Sequence, residues 1–384
     1  MHTIWKKLAN FKVIFWIYFV VILIASLHRF ILGPEHYNNY IIFKSSFKNL
    51  LGGVNLYSFH PEQHFDLYKY SPTFAVFMAP FYFLPDGIGY TFWNLLNALL
   101  LFFGIKNLHV SDERKVFVLF FILIELITSI QNSQSNPLVA GLLIWTFINL
   151  ENKKFLIGAI LLSLATFIKI FPIVFCISFL FYGKQFWKPS LYLALSCLVL
   201  LIVPLLFSSV DTLFFQYWSW IDLLKTDVSH ELNYSLKTFM QTFSGLSINN
   251  NLVLLFGLAG LLLPFFNKNI FSNNEAKLSY LALFLIWCVI YNHKAESPTF
   301  IIAFTGMAIY FSGFYNDKRI TWFLVFAFVI TSLSSTDLFP RFIKEEFIKP
   351  YRLKVLPSII AWFWILIALV KPIFVKSDSK ASEK

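Results

Sequence analysis

The stretch VIFWIYFVVILIASL, Val13 to Leu27, contains no charged residue, and VLPSIIAWFWILIALV, Val355 to Val370, contains none either. Such runs approach the roughly 20 apolar residues that carry a helix across a bilayer. Between them the pattern recurs. Apolar blocks lie near residues 72–85, 88–105, 116–131, 137–150, 155–168, 170–182, 189–207, 251–266, 278–292, 299–315 and 320–336. One soluble core cannot bury this much apolar surface, whereas lipid can cover it. The expectation is an all-α, polytopic transmembrane helical bundle with about 12 crossings.

Composition agrees. Of 384 residues, 58% are hydrophobic and 13% charged, about half the charged share of a soluble domain. The net charge of +11 sits in short loops. It therefore reads as a topology signal facing anionic lipid and not as a nucleic-acid surface. Cys176, Cys197 and Cys288 lie inside apolar runs without CxxC or metal spacing, which points to packing. The first apolar block lacks an A-x-A cleavage site and reads as a retained helix. The whole of 1–376 reads as a single multi-pass membrane domain, followed by a disordered cytoplasmic tail, 377–384.

Basic loops orient the helices. The N-terminal MHTIWKKLANFK, ERK at 113–115, ENKK at 151–154, GKQFWK at 183–188, NDKR at 316–319 and the C-terminal tail all favour the cytoplasm. Loops 33–71, 208–250 and 338–354 then fall on the outer side, with both termini cytoplasmic, although the last loop, which ends at Lys354, is itself basic and breaks the pattern. One parity problem remains: blocks 72–85 and 88–105 must make one net crossing. Pro72, Pro80 and Pro85 weaken the first as a regular helix. Each long outer loop contains an amphipathic, interfacial helix by its spacing. In the first, Tyr40, Phe43, Phe47, Leu50 and Leu51 share a face, with Asn39, Ser46 and Asn49 elsewhere. In the second, Trp218 and Trp220 suit the headgroup level.

Polar groups beside membrane helices are costly and mark candidate sites. HPEQHFDLYKYSPTF, 60–74, offers Glu62, His64, Asp66 and Lys69 for acid–base work, with Tyr68 and Tyr70 to stack on a sugar; an ordinary interfacial belt has the same composition. Asn38 and Asn39 can orient a ligand but cannot accept a proton as a base. Glu125 lies within an apolar block, and Gln131, Asn132, Gln134 and Asn136 form an amide cluster suited to hydroxyl-rich ligands. Lys169, ahead of Pro172, can hold a phosphate as a point charge or snorkel to the interface. His293, Lys294 and Glu296 share a short loop whose composition suits a phosphate or sugar. No P-loop, GxSxG, HExxH or DxD pattern occurs. Neither a cofactor nor a metal is expected, and a phosphorylated ligand would be lipid-linked.

The order of these features resembles glycosyltransferase family 87, polytopic mannosyltransferase-like enzymes of the GT-C class. GGVNLY and YKYSPTF are similar to the family's G-x-x-x-Y and Y-x-P elements; FWNLLNALLLFFGI follows. SQSN is similar to its G-Q-x-N, and IGAILLSLATFIKIFP to its A-G-x-x-x-x-x-A-x-x-x-K-x-x-P. The resemblance covers roughly residues 33–315. It implies a GT-C-like fold in the plasma (inner) membrane. It also implies transfer of a hexose, mannose in this family, from a polyprenyl-phosphate donor to a lipid or glycan acceptor on the outer face. The partners are then that donor, that acceptor and membrane lipids, not nucleic acid.

Such a reaction needs a base for the acceptor and cationic groups for the departing phosphate. The resemblance gives the second role to Lys169, His293 and Lys294. Where the family carries an early aspartate, the matching stretch here is NNYIIF, with Asn39 (or Asn38) in its place. Either another carboxylate serves, Asp66 first and Glu62 second, or catalysis is lost. Two further readings are a non-catalytic relative that binds lipid-linked sugar and a flippase or transporter of lipid-linked saccharides. Convergence of Asp66, Gln134, Lys169 and His293 on one cavity favours the enzyme.

Overall fold

The structure, a computed structural model, describes residues 10–226, 233–314 and 316–371. Among them there is helix, turn and loop but no strand. The N-terminal residues 1–9 and the tail lie outside the described residues.

Helix α1, Phe11–Ile31, starts where Asn10 accepts from the backbone N–H of Lys12 and Val13. It is apolar all round. Its inner stripe of Ile14, Tyr18, Ile22 and Ala25 is buried, while Trp16, Val20, Ile24, Leu27 and Ile31 face outward. The chain continues through α2, Asn38–Leu51, and α3, Pro72–Phe77. Next come α4, Asp86–Lys106, α5, Asp112–Phe121, and α6, Leu123–Gln131. α7, Asn136–Glu151, and α8, Phe155–Ile168, precede a 3-10 run, Phe171–Gln185. The remainder is α9, Trp187–Ile202, α10, Val210–Thr226, α11, Leu236–Ser244, and α12, Asn250–Leu262. It ends with α13, Asn274–Ile290, α14, Phe300–Phe311, α15, Lys318–Ala327, and α16, Leu356–Val370.

The centre is α13 against α14, flanked by α7 and α16. Every residue of α14 is buried, and so is α13 from Leu278 to Ile290. Glycine sets the approach of the two helices. A Cβ on Gly306 would lie 2.6 Å from the Ala282 carbonyl oxygen, so only hydrogen fits between these backbones. On the other side of α7, α4 packs against α1, where Asn94 Nδ2 donates to Ser26 Oγ at 2.9 Å. Helix α9 buries only Pro189 and Leu193 and exposes Leu191, Leu195, Leu198, Val199 and Ile202. An apolar outer face of this kind needs lipid beside it.

Among the described residues, five helical stretches are long and apolar enough to cross a membrane: 11–31, 86–106, 187–206, 318–335 and 353–370. Four shorter apolar helices accompany them. At 1.5 Å per residue, the 14 residues of α8 cover about 21 Å, short of the ~30 Å hydrocarbon layer. The block 72–85 breaks into α3 and a single turn, Ala79–Tyr82, as its three prolines suggest. The block 116–131 is likewise two helices, interrupted at Ile122.

α2 differs from its expected surface position. Tyr40, Phe43, Phe47 and Leu50 are buried as the spacing requires, but Leu51 is exposed, whereas Ser46 and Asn49 are buried. The following loop folds over that second face. Asn49 Nδ2 donates to Gln63 Oε1 at 3.0 Å, and Gln63 Nε2 returns a bond to Asn49 Oδ1 at 3.2 Å. Reciprocal amide bonding removes the cost of burying these groups.

Candidate functional site

A cavity of about 480 Å³ opens where α2, the 66–70 loop, the break after α8, α10, α12 and the 292–299 loop meet. Its walls divide by chemistry. Asp66, Lys69, Lys169, Lys294 and Glu296 supply charge, Asn39, Gln134 and His293 polar groups. Ile168, Ile170, Ile173, Val174, Leu224 and Leu254 form an apolar side, and Tyr70, Trp220, Trp287 and Tyr291 contribute rings.

Lys169 reaches the cavity because α8 stops there. Pro172 disfavours a continuing helix, and Lys169 itself is extended, with φ −141° and ψ 137°. Its Nζ donates to Asn136 Oδ1 at 2.6 Å. Asn136 is fully buried and donates from Nδ2 to the Pro298 carbonyl at 3.1 Å, which fixes which end of the amide faces the lysine. Burial lowers the Lys169 pKa to about 8, and the negative charge of Glu296 acts in the opposite direction.

Tyr70 stands across from it. Its hydroxyl lies 3.5 Å from Gln134 Oε1, to which it donates, and accepts from Ser135 Oγ at 3.3 Å. Burial raises its pKa, so the phenol is a neutral donor. Asp66 sits on the loop with one oxygen accepting from the Leu67 N–H at 2.7 Å and lying 3.6 Å from Lys69 Nζ. Trp220 Nε1 donates to the Lys69 carbonyl at 3.4 Å, tying α10 to that loop. The 292–296 turn is closed internally, Asn292 Oδ1 accepting from the Lys294 N–H at 3.0 Å.

Of the candidate site residues singled out in the sequence, Asp66, Lys69, Asn39, Tyr70, Gln134, Lys169, His293, Lys294 and Glu296 line this cavity. The others lie elsewhere. Glu62 is exposed on the loop. Tyr68 is buried and donates to the Ser71 carbonyl at 2.8 Å. Asn38 accepts from the Phe65 N–H at 3.0 Å. Asn136 stands behind Lys169 instead of in the wall. Asn39 Nδ2 donates to the Asn132 carbonyl at 2.8 Å, which anchors the start of α2 to the end of α6. Glu125 pairs with Lys354, 3.2 Å away, in the protein interior.

Several wall residues carried no signal in the sequence. Trp287 and Tyr291 end a helix that reads as plain apolar core, and Asn233 and Asn250 lie in or beside the long loop 208–250. Their i, i+4 spacing is the only trace that Trp287 and Tyr291 share a face; their rings stack at 6.0 Å. The arrangement suits an amphiphile: a charged and hydrogen-bonding pocket for a head, and an adjoining apolar wall for a chain.

The sequence pattern of glycosyltransferase family 87 matches residues 68–313. No curated protein matches the chain. With well over half its length matched, the chain belongs to glycosyltransferase family 87, and is a membrane glycosyltransferase. The matched residues begin at Tyr68, after Asn39, Glu62 and Asp66, and include Tyr70, Gln134, Lys169 and the 292–296 turn.

Proposed function

We propose that the cavity binds a polyprenyl-phosphate-linked hexose, mannose first among candidates, and transfers the sugar to a hydroxyl of a lipid or glycan acceptor. The main support is spatial: Asp66, Gln134, Lys169 and His293 come from four separate parts of the chain and line one cavity. Family membership supplies the reaction class, and the apolar wall beside the charged groups fits a lipid-linked donor. The site faces the outer side of the plasma membrane, with both termini cytoplasmic and about 12 crossings in a GT-C-like bundle; the basic loops support this orientation.

In this reading Asp66 takes the proton from the acceptor hydroxyl as its oxygen bonds to the anomeric carbon. The bond from that carbon to the phosphate oxygen breaks, and polyprenyl phosphate leaves with the electron pair. Lys169 and the His293–Lys294 turn stabilise the charge that develops on the phosphate. Gln134 and Tyr70 orient sugar hydroxyls. Asn39 cannot serve as a base, and its anchoring bond to Asn132 favours a structural role for it.

The test is binding of polyprenyl-phosphate mannose to the protein in lipid nanodiscs. Lys169→Met keeps the aliphatic stem and removes the cation. Loss of one charge-assisted hydrogen bond, about 1.5–3 kcal/mol, weakens binding roughly tenfold or more. Equal affinity for wild type and Lys169→Met would remove Lys169 from the phosphate site.

A further inference from the structure

Behind the 292–299 segment lies an ion pair that is not part of the cavity wall. Lys354 and Glu125, 229 positions apart in the chain, are both buried. Lys354 Nζ donates to Glu125 Oε1 at 3.2 Å, Ser297 Oγ at 2.8 Å and Ser335 Oγ at 2.5 Å. Three acceptors satisfy the three protons of the ammonium. The Phe300 ring lies 5.1 Å from the same nitrogen.

As a source of stability, this arrangement is poor. Desolvating two charges costs more than their attraction commonly returns, and apolar residues of similar size often serve as well. Glu125 Oε2 also has no hydrogen-bond partner among the described residues. What the pair does provide is a fixed point. Ser297 follows Glu296, which lines the cavity, and precedes Pro298, whose carbonyl is held by Asn136. Two buried side chains therefore grip adjacent residues of one segment from behind, Lys354 at Ser297 and Asn136 at Pro298. The front of that segment presents His293, Lys294 and Glu296.

We propose that Lys354, held by Glu125 and acting through Ser297, is a positioning residue for the ligand-binding face of the 292–299 segment. It touches no ligand. Its effect is on where the charged groups of the turn stand relative to Lys169. The ligand in question is the lipid-linked donor, so this inference rests on the transfer reading above.

The link can be cut without unpairing the buried charges. Ser297→Ala removes one acceptor and leaves Lys354 with Glu125 and Ser335, whereas Ser297→Thr keeps the hydroxyl. Two measurements are made on the protein in nanodiscs: the mobility of a nitroxide attached at Lys294→Cys in a background lacking the native cysteines, and affinity for polyprenyl-phosphate mannose. We expect the label to become more mobile and the dissociation constant to rise about five- to tenfold in Ser297→Ala, the loss of one modest hydrogen bond. Ser297→Thr restores both and keeps the thermal midpoint close to wild type. Unchanged label mobility in Ser297→Ala overturns the proposal, and so does weakened binding that Ser297→Thr fails to rescue. If wild type does not bind the probe at all, the transfer reading fails. The label then still decides whether Lys354 positions the turn.

Discussion

Lys169 and Asn136 form a pair across 33 positions of sequence, Nζ donating to Oδ1 at 2.6 Å, and the amide is held in turn by the Pro298 carbonyl. The cation is therefore aimed by a buried side chain. Asn136→Leu should leave both Nζ and the Pro298 carbonyl without these partners, lowering stability by about 1–3 kcal/mol. Asn136→Asp also loses the bond to the Pro298 carbonyl, but its carboxylate pairs with Lys169 and offsets part of that cost. The new carboxylate then competes with a donor phosphate, so affinity for the donor falls, with a smaller drop in thermal midpoint than in Asn136→Leu. Thermal unfolding and donor titration on the two variants separate these outcomes.

Proton linkage at Lys169 gives opposite signs for binding and for stability. Its pKa in the fold is about 8, below the ~10.4 of a free lysine. Between those values the unfolded chain binds more protons, so this group makes the fold more stable as pH rises. Phosphate binding needs the ammonium. Donor affinity should be level below pH about 8 and then fall toward tenfold per pH unit as the amine loses its proton. Lys169→Arg should abolish the inflection. A donor titration from pH 6 to 10 that stays flat for wild type would contradict the assignment.

Backbone approach at the centre of the bundle makes a stability prediction. Gly306→Ala places a methyl group 2.6 Å from a backbone oxygen of α13. Parting the two helices to admit it should cost about 1–3 kcal/mol. Gly52→Ala is the control, because its Cβ meets nothing closer than Val54 Cγ2 at 3.5 Å. Thermal unfolding in detergent should show a clear loss for the first and little change for the second.

The helices were legible because lipid and core select the same residues: Val13–Leu27 and Val355–Val370 read as spans and fall within α1 and the final span, 353–370. The breaks at Lys169 and within 72–85 were legible from Pro172, Pro72, Pro80 and Pro85. Crossing number was not, since helices shorter than the bilayer, such as α8, show the same apolar composition as full spans. Polarity marks a residue as unusual without saying which side it faces. Asp66 and Glu62 are four positions apart, yet one lines the cavity and the other is exposed. Lys354 looked like one more basic loop residue, and Glu125 like a lone buried carboxyl. Their pairing depends on packing between distant helices, which no local pattern encodes. The same holds for Trp287 and Tyr291, whose wall position is hidden within an apolar run.

The most direct test of sugar transfer in this cavity is turnover by purified protein in lipid vesicles, with polyprenyl-phosphate mannose as donor and extracted membrane glycolipid as acceptor, for wild type and Asp66→Asn. The substitution removes the base and preserves the side chain's shape. Turnover should fall about 100- to 10,000-fold, the usual contribution of a general base, while donor binding remains near wild type. Turnover by Asp66→Asn equal to that of wild type would contradict the account.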